Sequence, residues 1–349
     1  MSLTTFPHQY IDRNSRRIVT EKPIGDQCVH YLYNGIRESA PAMFRALTSA
    51  RISRLLAFCH YDLPSNAKRN GSYLFEGIGA DSRECVEPLT FFDSHLKVFE
   101  RQIRYWETRP MKRNSASVVS PADSRILIGS LADSSALFIK DKFFDLEELL
   151  GPAGSLWHDR FRHGDFAVFR LTPDKYHYNH VPVSGRVVDV YHLDGRYHSC
   201  NPSALIAMAS LYSKNRRVVT VIDTDAPGGS AIGMVAMVEI VALMIGDIIQ
   251  SYSEERYTDP RDVRPGMFLT RGCPKSLFRP GSSTDVVIFE PNRIRFAGDL
   301  VANSHRNDVR SRFTNSFGRP LVETDVMVRS AISEPLITPP QLSILEEQQ

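Results

Sequence analysis

Residues 216–223 read RRVVTVID, a short apolar run rich in β-branched side chains. Similar runs, separated by turn residues, recur from residue 118 onward: RILIG at 125–129, SALFIK at 135–140, FAVFRL at 166–171, RVVDVYHL at 186–193 and TDVVIFE at 284–290. β-branched and aromatic residues fit a pleated, half-buried surface, whereas Gly, Pro, Asn and Asp interrupt strands. The pattern therefore predicts a β-rich body, which we place at residues 116–332.

Two stretches with helical spacing precede this body. In PAMFRALTSARISRLLAFCHY at 41–61, apolar residues recur at helical intervals with arginines between them. This helix either packs on the core or lies on an anionic membrane surface, since both environments favour an amphipathic pattern. A second helix is expected at 89–108. It should end at Arg109-Pro110 because the residue before a proline avoids the helical region.

The fold class expected from this order is α+β. A helical N-terminal region covers residues 1–115, the β-rich body follows, and residues 333–349 are expected to form a loose tail. The apolar stretch at 231–248 is about as long as a membrane span, but Glu239 and Asp247 interrupt it. A charge at the centre of a span costs roughly 2.5–3.5 kcal/mol, so we predict buried strands there.

The composition excludes several classes of protein. Among 349 residues, 42 Lys and Arg stand against 40 Asp and Glu, and a net charge of +2 implies no nucleic-acid partner. Five widely spaced cysteines without a CxxC pair form no zinc ribbon and fit a reducing cytoplasm. Met1–Gly25 lacks the apolar stretch of a secretory signal. We therefore expect a cytoplasmic protein whose contact with a membrane, where there is any, is peripheral.

Three segments carry residues that could support catalysis. They are VSPADSR at 119–125, LTPDKYHYNHVPVSG at 171–185 and LFRPGSSTDVVIFE at 277–290. Taken alone, Asp123 is either a turn residue or a carboxylate that orients a histidine. His177 and His180 could be acid–base residues, metal ligands or surface residues, and a zinc site lacks a convincing third ligand nearby. The Gly-Ser-Ser-Thr turn matches neither a nucleophile elbow nor a phosphate loop.

Together, the order and wording of these segments resemble the phosphatidylserine decarboxylase family of pyruvoyl-dependent decarboxylases. That family carries a Ser-Pro-x-Asp or Ala-Asp-Ser-Arg segment, then Leu-x-Pro-x-Asp-Tyr-His-Arg-x-His-x-Pro-Val-x-Gly. Near its C-terminus it has Phe-x-Phe-Gly-Gly-Ser-Thr before an apolar strand ending in Phe-Glu. The likeness runs from about residue 43 to residue 332. It implies a carboxy-lyase that makes phosphatidylethanolamine and CO₂ from phosphatidylserine.

The resemblance also implies how the cofactor arises. A serine hydroxyl attacks the carbonyl before it, the resulting ester loses the upstream chain by β-elimination, and hydrolysis leaves a covalent pyruvoyl group. Ser283 lies at the family's spacing before the Phe-Glu that ends the strand, so we expect the cut between Ser282 and Ser283. Ser282 is the alternative precursor. The products would be a large chain, 1–282, and a small chain, 283–349, which stay associated.

Catalytic roles follow from the resemblance by position. His180 would take the proton of the attacking serine, with Asp123 as its orienting partner, as in a Ser-His-Asp triad. His177 would handle protons during decarboxylation. The substrate amine would form a Schiff base with the pyruvoyl ketone, which draws electrons as CO₂ leaves. The resemblance implies no metal ion.

Three departures from the family's pattern concern the substrate. Tyr178 stands where the family has an arginine, Val241 where it has a glycine and Asp247 where it has a serine. A lost guanidinium removes a bidentate partner for a carboxylate or phosphate. Two other functions therefore stay open: decarboxylation of a soluble amino acid or amino-acid conjugate, and a binding role for an uncut, non-catalytic relative. Peripheral membrane contact and a homodimer are left open as well.

Overall fold

The structure is a computed structural model that describes residues 6–21, 25–52, 71–111, 117–132, 142–243, 247–281 and 283–336. Strands and short helices are both present in these residues, so the expected α+β class is confirmed. The strand expected at 135–140, the alternative precursor Ser282 and residues 337–349 of the expected tail lie outside them.

The strands begin near the N-terminus and continue to the end of the described chain. They are β1 (His8–Asp12), β2 (Ile18–Glu21), β3 (Val118–Val119), β4 (Ser124–Ser130), β5 (Asp165–Leu171), β6 (Tyr178–His180), β7 (Gly185–Leu193), β8 (Arg217–Asp223), β9 (Met234–Val241), β10 (Ile248–Gln250), β11 (Phe268–Leu269), β12 (Pro274–Phe278), β13 (Ser283–Phe289), β14 (Ile294–Phe296), β15 (Thr324–Val326) and β16 (Ala331–Pro335). Strands β4, β5, β7, β8 and β13 confirm the runs predicted from sequence. The apolar stretch 231–248 contains β9 and reaches the first residue of β10, as expected for buried strands.

Within the described residues, ten strands form one large sheet in the order β11-β7-β8-β9-β13-β5-β4-β15-β1-β2. Neighbouring strands in it are antiparallel, apart from β1 and β15, which are parallel. Two smaller sheets have the orders β10-β12-β6 and β14-β16-β3. Strand β13 therefore lies inside the large sheet, hydrogen-bonded to β9 on one side and to β5 on the other.

The helices in the described residues are short. They are α1 (Asp26–Tyr31), which runs through a π-helical turn (Leu32–Ile36) into α2 (Arg37–Ser39), then α3 (Pro41–Leu47), α4 (Gly71–Ile78), α5 (His95–Phe99), α6 (Tyr105–Thr108), α7 (Leu146–Leu150), α8 (Ser155–Phe161), α9 (Pro202–Ala207), α10 (Leu211–Lys214), α11 (Gly298–Ser304) and α12 (Arg312–Phe317). Turns of 3₁₀ helix occur at Ser82–Glu84, Leu89–Phe91 and Pro152–Gly154. Across the described ranges, no helix combines the length and the apolar character that a membrane crossing needs.

The single helix predicted at 89–108 is wrong. The segment contains a 3₁₀ turn, then α5 and α6, with extended chain between them. Ser94 starts α5 as its N-cap, accepting a hydrogen bond from the backbone N–H of Lys97 at 3.4 Å. Ile103 forms an isolated antiparallel bridge with Cys85. This tertiary pairing overrides the local helical spacing, which sequence periodicity alone could not reveal.

Both ends of the described chain join sheets. The N-terminal region was expected to be helical, yet β1 and β2 extend the edge of the large sheet. The tail was expected to be loose from residue 333, but β16 continues to Pro335 and pairs with β14. In both places the backbone finds a partner strand far away in sequence, so local composition does not indicate the pairing.

Side chains of β13 alternate between two cores. Val286 and Ile288 pack in the core that lies beneath the helices. Val287 and Phe289 pack on the opposite face, in the core shared with strands of the smaller sheet β14-β16-β3. Because side chains alternate along a strand, Ser283 and every second residue after it share the face of Val287. Ser283 and Asp285 therefore lie on the same face of the large sheet.

Candidate active site

Ser283 is the first residue of β13, between Val241 of β9 and Leu171 of β5. Its side chain is fully buried, and its Oγ has no hydrogen-bond partner among the described residues. The Cys200 thiol donates to its carbonyl oxygen at 3.7 Å. Gly281, two residues earlier, has φ of +140°, a conformation that favours glycine. The predicted precursor is thus a buried hydroxyl immediately after a turn.

His180 ends β6, in the sheet beside this face, and its two ring nitrogens have different partners. Nδ1 lies 2.9 Å from the carbonyl oxygen of Gly272, and Nε2 lies 3.0 Å from the hydroxyl of Tyr176. A carbonyl only accepts, so Nδ1 carries the hydrogen and Nε2 accepts the Tyr176 hydroxyl. Burial lowers the pKa of His180 to about 3. The imidazole is therefore neutral at neutral pH, with Nε2 as its basic nitrogen.

His177 lies just before β6 and is also fully buried. Neither ring nitrogen has a hydrogen-bond partner among the described residues. Phe99 stacks on the ring, with centroids 3.7 Å apart and planes 29° apart. Burial lowers the pKa of His177 to about 3, and the charge of nearby Arg101 acts in the same direction. The structure thus supplies a neutral imidazole in a dry setting.

Asp123 lies between β3 and β4 and is held by an arginine. Arg109 Nη2 donates to Asp123 Oδ2 at 2.7 Å, and the backbone N–H of Val328 donates to Oδ1 at 2.8 Å. Burial alone would raise the pKa of Asp123, but the charge and hydrogen bonds of Arg109 more than offset this and lower it. In the described residues Asp123 forms no hydrogen bond to His180. It acts on the imidazole through space, and Gly272 holds the ring instead.

A layer of buried polar side chains continues from Ser283 along the same face. Lys275 Nζ, on β12, donates to Glu239 Oε2 at 2.7 Å, and both side chains are fully buried. Gln250 Nε2 donates to the same oxygen at 2.9 Å. Asp285 lies directly across from Glu239, and neither of its carboxylate oxygens has a partner among the described residues. Burial and the charge of Glu239 raise the pKa of Asp285 well above its usual range, while Lys275 opposes them.

A second buried ionic cluster lies elsewhere in the sheet. Arg170 Nη2 donates to Glu323 at 2.6 Å and to Glu21 at 2.8 Å, and His8 Nε2 lies 2.7 Å from Glu323. His8, Glu21 and Glu323 are of types that bind metals and lie within reach of one another. However, the guanidinium between the carboxylates already offsets their charge, as in other buried ion pairs. The cluster joins residues from both ends of the chain.

Sequence analysis found the serine and the histidines but missed their neighbours. Phe99, Tyr176, Asp285 and Lys275 were not singled out, and Glu239 was noted only as an interruption of the apolar stretch. The available signal was an acidic residue at an inward position of an otherwise apolar strand, which applies to Asp285 and to Glu239. Such a residue is rarely buried without a partner or a function.

This combination defines a class of protein: an α+β protein with a buried serine at a strand start and two neutral imidazoles on an adjoining sheet, as serine-based covalent chemistry requires. The sequence profile of the phosphatidylserine decarboxylase family matches residues 96–315, more than half of the chain. The chain belongs to the phosphatidylserine decarboxylase family, as its motifs predicted.

Curated relatives agree over most of the chain. It is 29% identical over 317 residues to the phosphatidylserine decarboxylase proenzyme of Chlamydia trachomatis serovar L2, covering 89% of this chain and 96% of that protein. It is 29% identical over 324 residues to the proenzyme of Chlamydia felis, covering 90% and 99%. It is 26% identical over 308 residues to the proenzyme of Fusobacterium nucleatum, covering 87% and 94%. The likeness thus extends well beyond the three motifs.

Proposed function

We propose that this chain is the proenzyme of a pyruvoyl-dependent decarboxylase that converts phosphatidylserine to phosphatidylethanolamine and CO₂. The observation that carries the proposal is the buried Oγ of Ser283 at the start of β13, which has no hydrogen-bond partner in the described part of the chain. Membership of the family and the proenzyme names of its relatives support it. The residues present also fit the cofactor, because the group arises from Ser283 itself and needs no separate binding pocket.

In the proposed maturation, Ser283 Oγ attacks the carbonyl carbon of Ser282. The peptide C–N bond breaks, the nitrogen of Ser283 takes a proton, and an ester joins the two residues. Loss of the Ser283 Cα proton then breaks the Cβ–O bond and frees the carboxylate of Ser282. Water replaces the remaining nitrogen, which leaves as ammonia, and a ketone remains at the new N-terminus. The large chain ends at residue 282, and the small chain begins at residue 283.

His180 is the proposed base in this cleavage. Its Nδ1–H bond to Gly272 leaves Nε2 as the basic nitrogen, and a neutral imidazole is ready to accept the Oγ proton. Tyr176 occupies Nε2 in this structure, so the proton transfer requires that this contact be exchanged or used as a relay. The negative charge of Asp123 favours the imidazolium that forms, acting through space rather than by direct contact.

When present, the pyruvoyl ketone supplies an electron sink for the loss of the substrate carboxylate. The chain's own residues supply the environment. His177, neutral and shielded by Phe99, is the proposed proton carrier at the substrate carbon. The buried face excludes water, which strengthens every electrostatic interaction there. No step in this proposal uses a metal ion.

A soluble substrate is the second candidate, and Tyr178 favours it. This residue replaces the family's arginine, is buried and accepts a hydrogen bond from Gln102 Nε2 at 3.3 Å. No guanidinium is therefore offered at this position for a lipid phosphate. A decarboxylase of a free amino acid or an amino-acid conjugate would need none. The third candidate, an uncut binding protein, would leave Ser283 unmodified.

Partners and location follow from the first candidate. A phospholipid substrate requires peripheral contact with a membrane, and the cysteines fit a cytoplasmic setting. The two chains should stay associated, because β13 of the small chain pairs with β9 and β5 of the large one. A homodimer remains compatible with the proposal.

The test begins with mass spectrometry of the purified protein. Two chains, with methoxyamine adding its mass to the small one, would support the proposal, whereas an intact chain of 39.5 kDa would contradict it. Ser283→Ala should abolish the cut, and the matched change Ser282→Ala should preserve it. CO₂ release is then compared between phosphatidylserine vesicles and free amino acids. CO₂ release from the free amino acids alone would show that the protein is a decarboxylase of a soluble amino acid instead.

A further inference from the structure

Several buried polar atoms near Ser283 lack a hydrogen-bond partner among the described residues, and three of them are acceptors on two side chains. They are both carboxylate oxygens of Asp285 and Oδ1 of Asn179. Folded proteins pair more than about nine-tenths of their buried polar groups. Three unpaired acceptors in one polar layer therefore indicate a site for a group that brings donors.

Both side chains adjoin Glu239, which places them in the same layer. Asn179 Nδ2 donates to Ser276 Oγ at 3.0 Å and lies 3.4 Å from Glu239 Oε1. Asp285 faces Glu239 across neighbouring strands, in paired register. Opposed residues on one sheet face have Cβ atoms about 4.5–5.5 Å apart. Asn179 and Asp285 thus both adjoin the same glutamate.

The charges of this layer leave one carboxyl group, that of Asp285, without a cation of its own among the described residues. Glu239 and Lys275 form an ion pair with N–O distance 2.7 Å, and both are fully buried. Asp285 is also fully buried, and among the described residues no ion pair or hydrogen-bond donor reaches its carboxyl group. A buried carboxyl group in this state has to hold a proton or receive a cation. A ligand that supplies positive charge and N–H donors would satisfy both requirements.

We propose that Asp285 binds the ammonium group of the substrate, with the amide oxygen of Asn179 as a further acceptor. This inference rests on the proposed function and identifies the residue that selects for an amine. An ammonium carries three N–H donors, which matches the three acceptors. Asp285 lies two residues from Ser283 on the same face, about 7 Å along the strand. An amine bound there is next to the residue that becomes the ketone.

The test compares Asp285→Asn with the wild-type protein by calorimetric titration. The probes are dihexanoyl-phosphatidylethanolamine, which carries the amine, and dihexanoyl-phosphatidic acid, which lacks it. We expect Asp285→Asn to lower the affinity for the amine lipid about ten- to a hundredfold and to leave the other unchanged, because it removes one charged hydrogen-bonded contact. Free ethanolamine is the third probe. The proposal requires that Asp285→Asn lower the affinity for each amine that the wild-type protein binds.

Asp165→Asn is the matched control. Asp165 begins β5, pairs with Phe289 at the opposite end of β13, and has a pKa that burial raises. Asp165→Asn should leave the affinities for the amine lipid and for phosphatidic acid unchanged. Equal affinities for the amine lipid in Asp285→Asn and wild type would overturn the proposal, as would an equal loss for both lipids. Asp285→Ser, with a smaller side chain, should repeat the result of Asp285→Asn.

Self-cleavage is measured separately, so that the two proposals can fail independently. A wild-type protein that methoxyamine does not label would contradict the proposed function. A labelled, active wild type with no amine-dependent loss in Asp285→Asn would contradict only the ammonium site. If Asp285→Asn is not cleaved, its affinities are compared with those of the uncleaved Ser283→Ala protein. The proposal then still requires that Asp285→Asn bind the amine lipid more weakly and phosphatidic acid equally well, and any other result overturns it.

Discussion

The ring of Phe99 lies against the imidazole of His177, with centroids 3.7 Å apart. Phe99 belongs to α5, in the N-terminal region, whereas His177 precedes β6 in the body. The contact joins two parts of the chain that are far apart in sequence and contributes to the burial that lowers the pKa of His177 to about 3. The N-terminal region therefore contributes to the burial that keeps this histidine neutral.

Phe99→Ala should change how decarboxylation depends on pH. With Phe99 in place, His177 stays neutral down to about pH 4, so the wild-type rate should show no His177 transition between pH 5 and 8. Without the ring, water reaches the imidazole and its pKa moves up toward about 6.5. The neutral fraction at pH 5.5 would then be about one-tenth, and kcat should fall accordingly. Phe91→Ala, which truncates an exposed ring, is the control, and a flat profile for Phe99→Ala would contradict the assignment of His177.

Tyr176→Phe should slow chain cleavage without unfolding the protein. The change removes the hydroxyl that lies 3.0 Å from His180 Nε2 and 2.8 Å from the Tyr257 hydroxyl. As a proton relay, the hydroxyl would contribute a hydrogen bond of about 1 kcal/mol to the transition state, so we expect roughly five- to tenfold slower appearance of the small chain on a denaturing gel. Faster cleavage would instead show that the contact must be broken to free Nε2. Tyr197→Phe, another buried tyrosine, should cut at the wild-type rate. An unchanged rate in Tyr176→Phe would exclude a part for this contact in proton transfer.

Arg109→Ala should destabilise the protein strongly. Arg109 bonds Asp123 and also donates to Glu84 at 2.8 Å, and its removal leaves a buried carboxylate without its cation. Breaking a buried pair in this way typically costs about 3–5 kcal/mol. Denaturant unfolding of the uncut Ser283→Ala background measures the loss. Arg83→Ala, at an exposed pair with Asp81, is the control and should show no measurable change. The double variant Arg109→Ala/Asp123→Asn should recover part of the lost stability. If it does not, the unpaired Asp123 carboxylate is not the cause of the destabilisation.

Glu323→Gln should lower the free energy of unfolding at neutral pH, and by less in acid. Burial would raise the pKa of Glu323, but Arg170 holds it well below its usual range. The carboxylate therefore stabilises the fold above the unfolded pKa of about 4.3, and this contribution is lost as pH falls through the lower folded value. The difference in unfolding free energy between Ser283→Ala and Ser283→Ala/Glu323→Gln should shrink from pH 7 to pH 3. Glu334→Gln, at an exposed position, should give no pH-dependent difference.

The strands of the body could be predicted because their signal is local. Runs such as 166–171 and 284–290 contain the β-branched and aromatic residues that fill both faces of a buried strand. The helix expected at 89–108 failed for the opposite reason, since the bridge between Cys85 and Ile103 depends on a partner outside the segment. The first strand of the chain was missed because its pairing with β15 spans almost the whole sequence, and β2 joins the sheet only through β1.

The site divides in the same way. Ser283, His177 and His180 belong to motifs that are readable along the chain, and the structure buries all three side chains. The meaning of Asp285 depends on strand register, which sets it opposite Glu239, and no local pattern specifies that register. The partner of Asp123 was expected to be His180, whereas the structure brings Arg109 to it. The triad role of Asp123 stays a prediction that cleavage assays must decide.

Strand β13 is enclosed by β9 and β5, and its first residue is wholly inaccessible to solvent. A fragment synthesised from residue 283 onward would begin with an ordinary serine amine and would never acquire a ketone. Under the proposed maturation, cleavage at this bond would require that the central strands have already assembled around Ser283. Copies that had not folded would then stay uncut and inactive, so cleavage would report on folding.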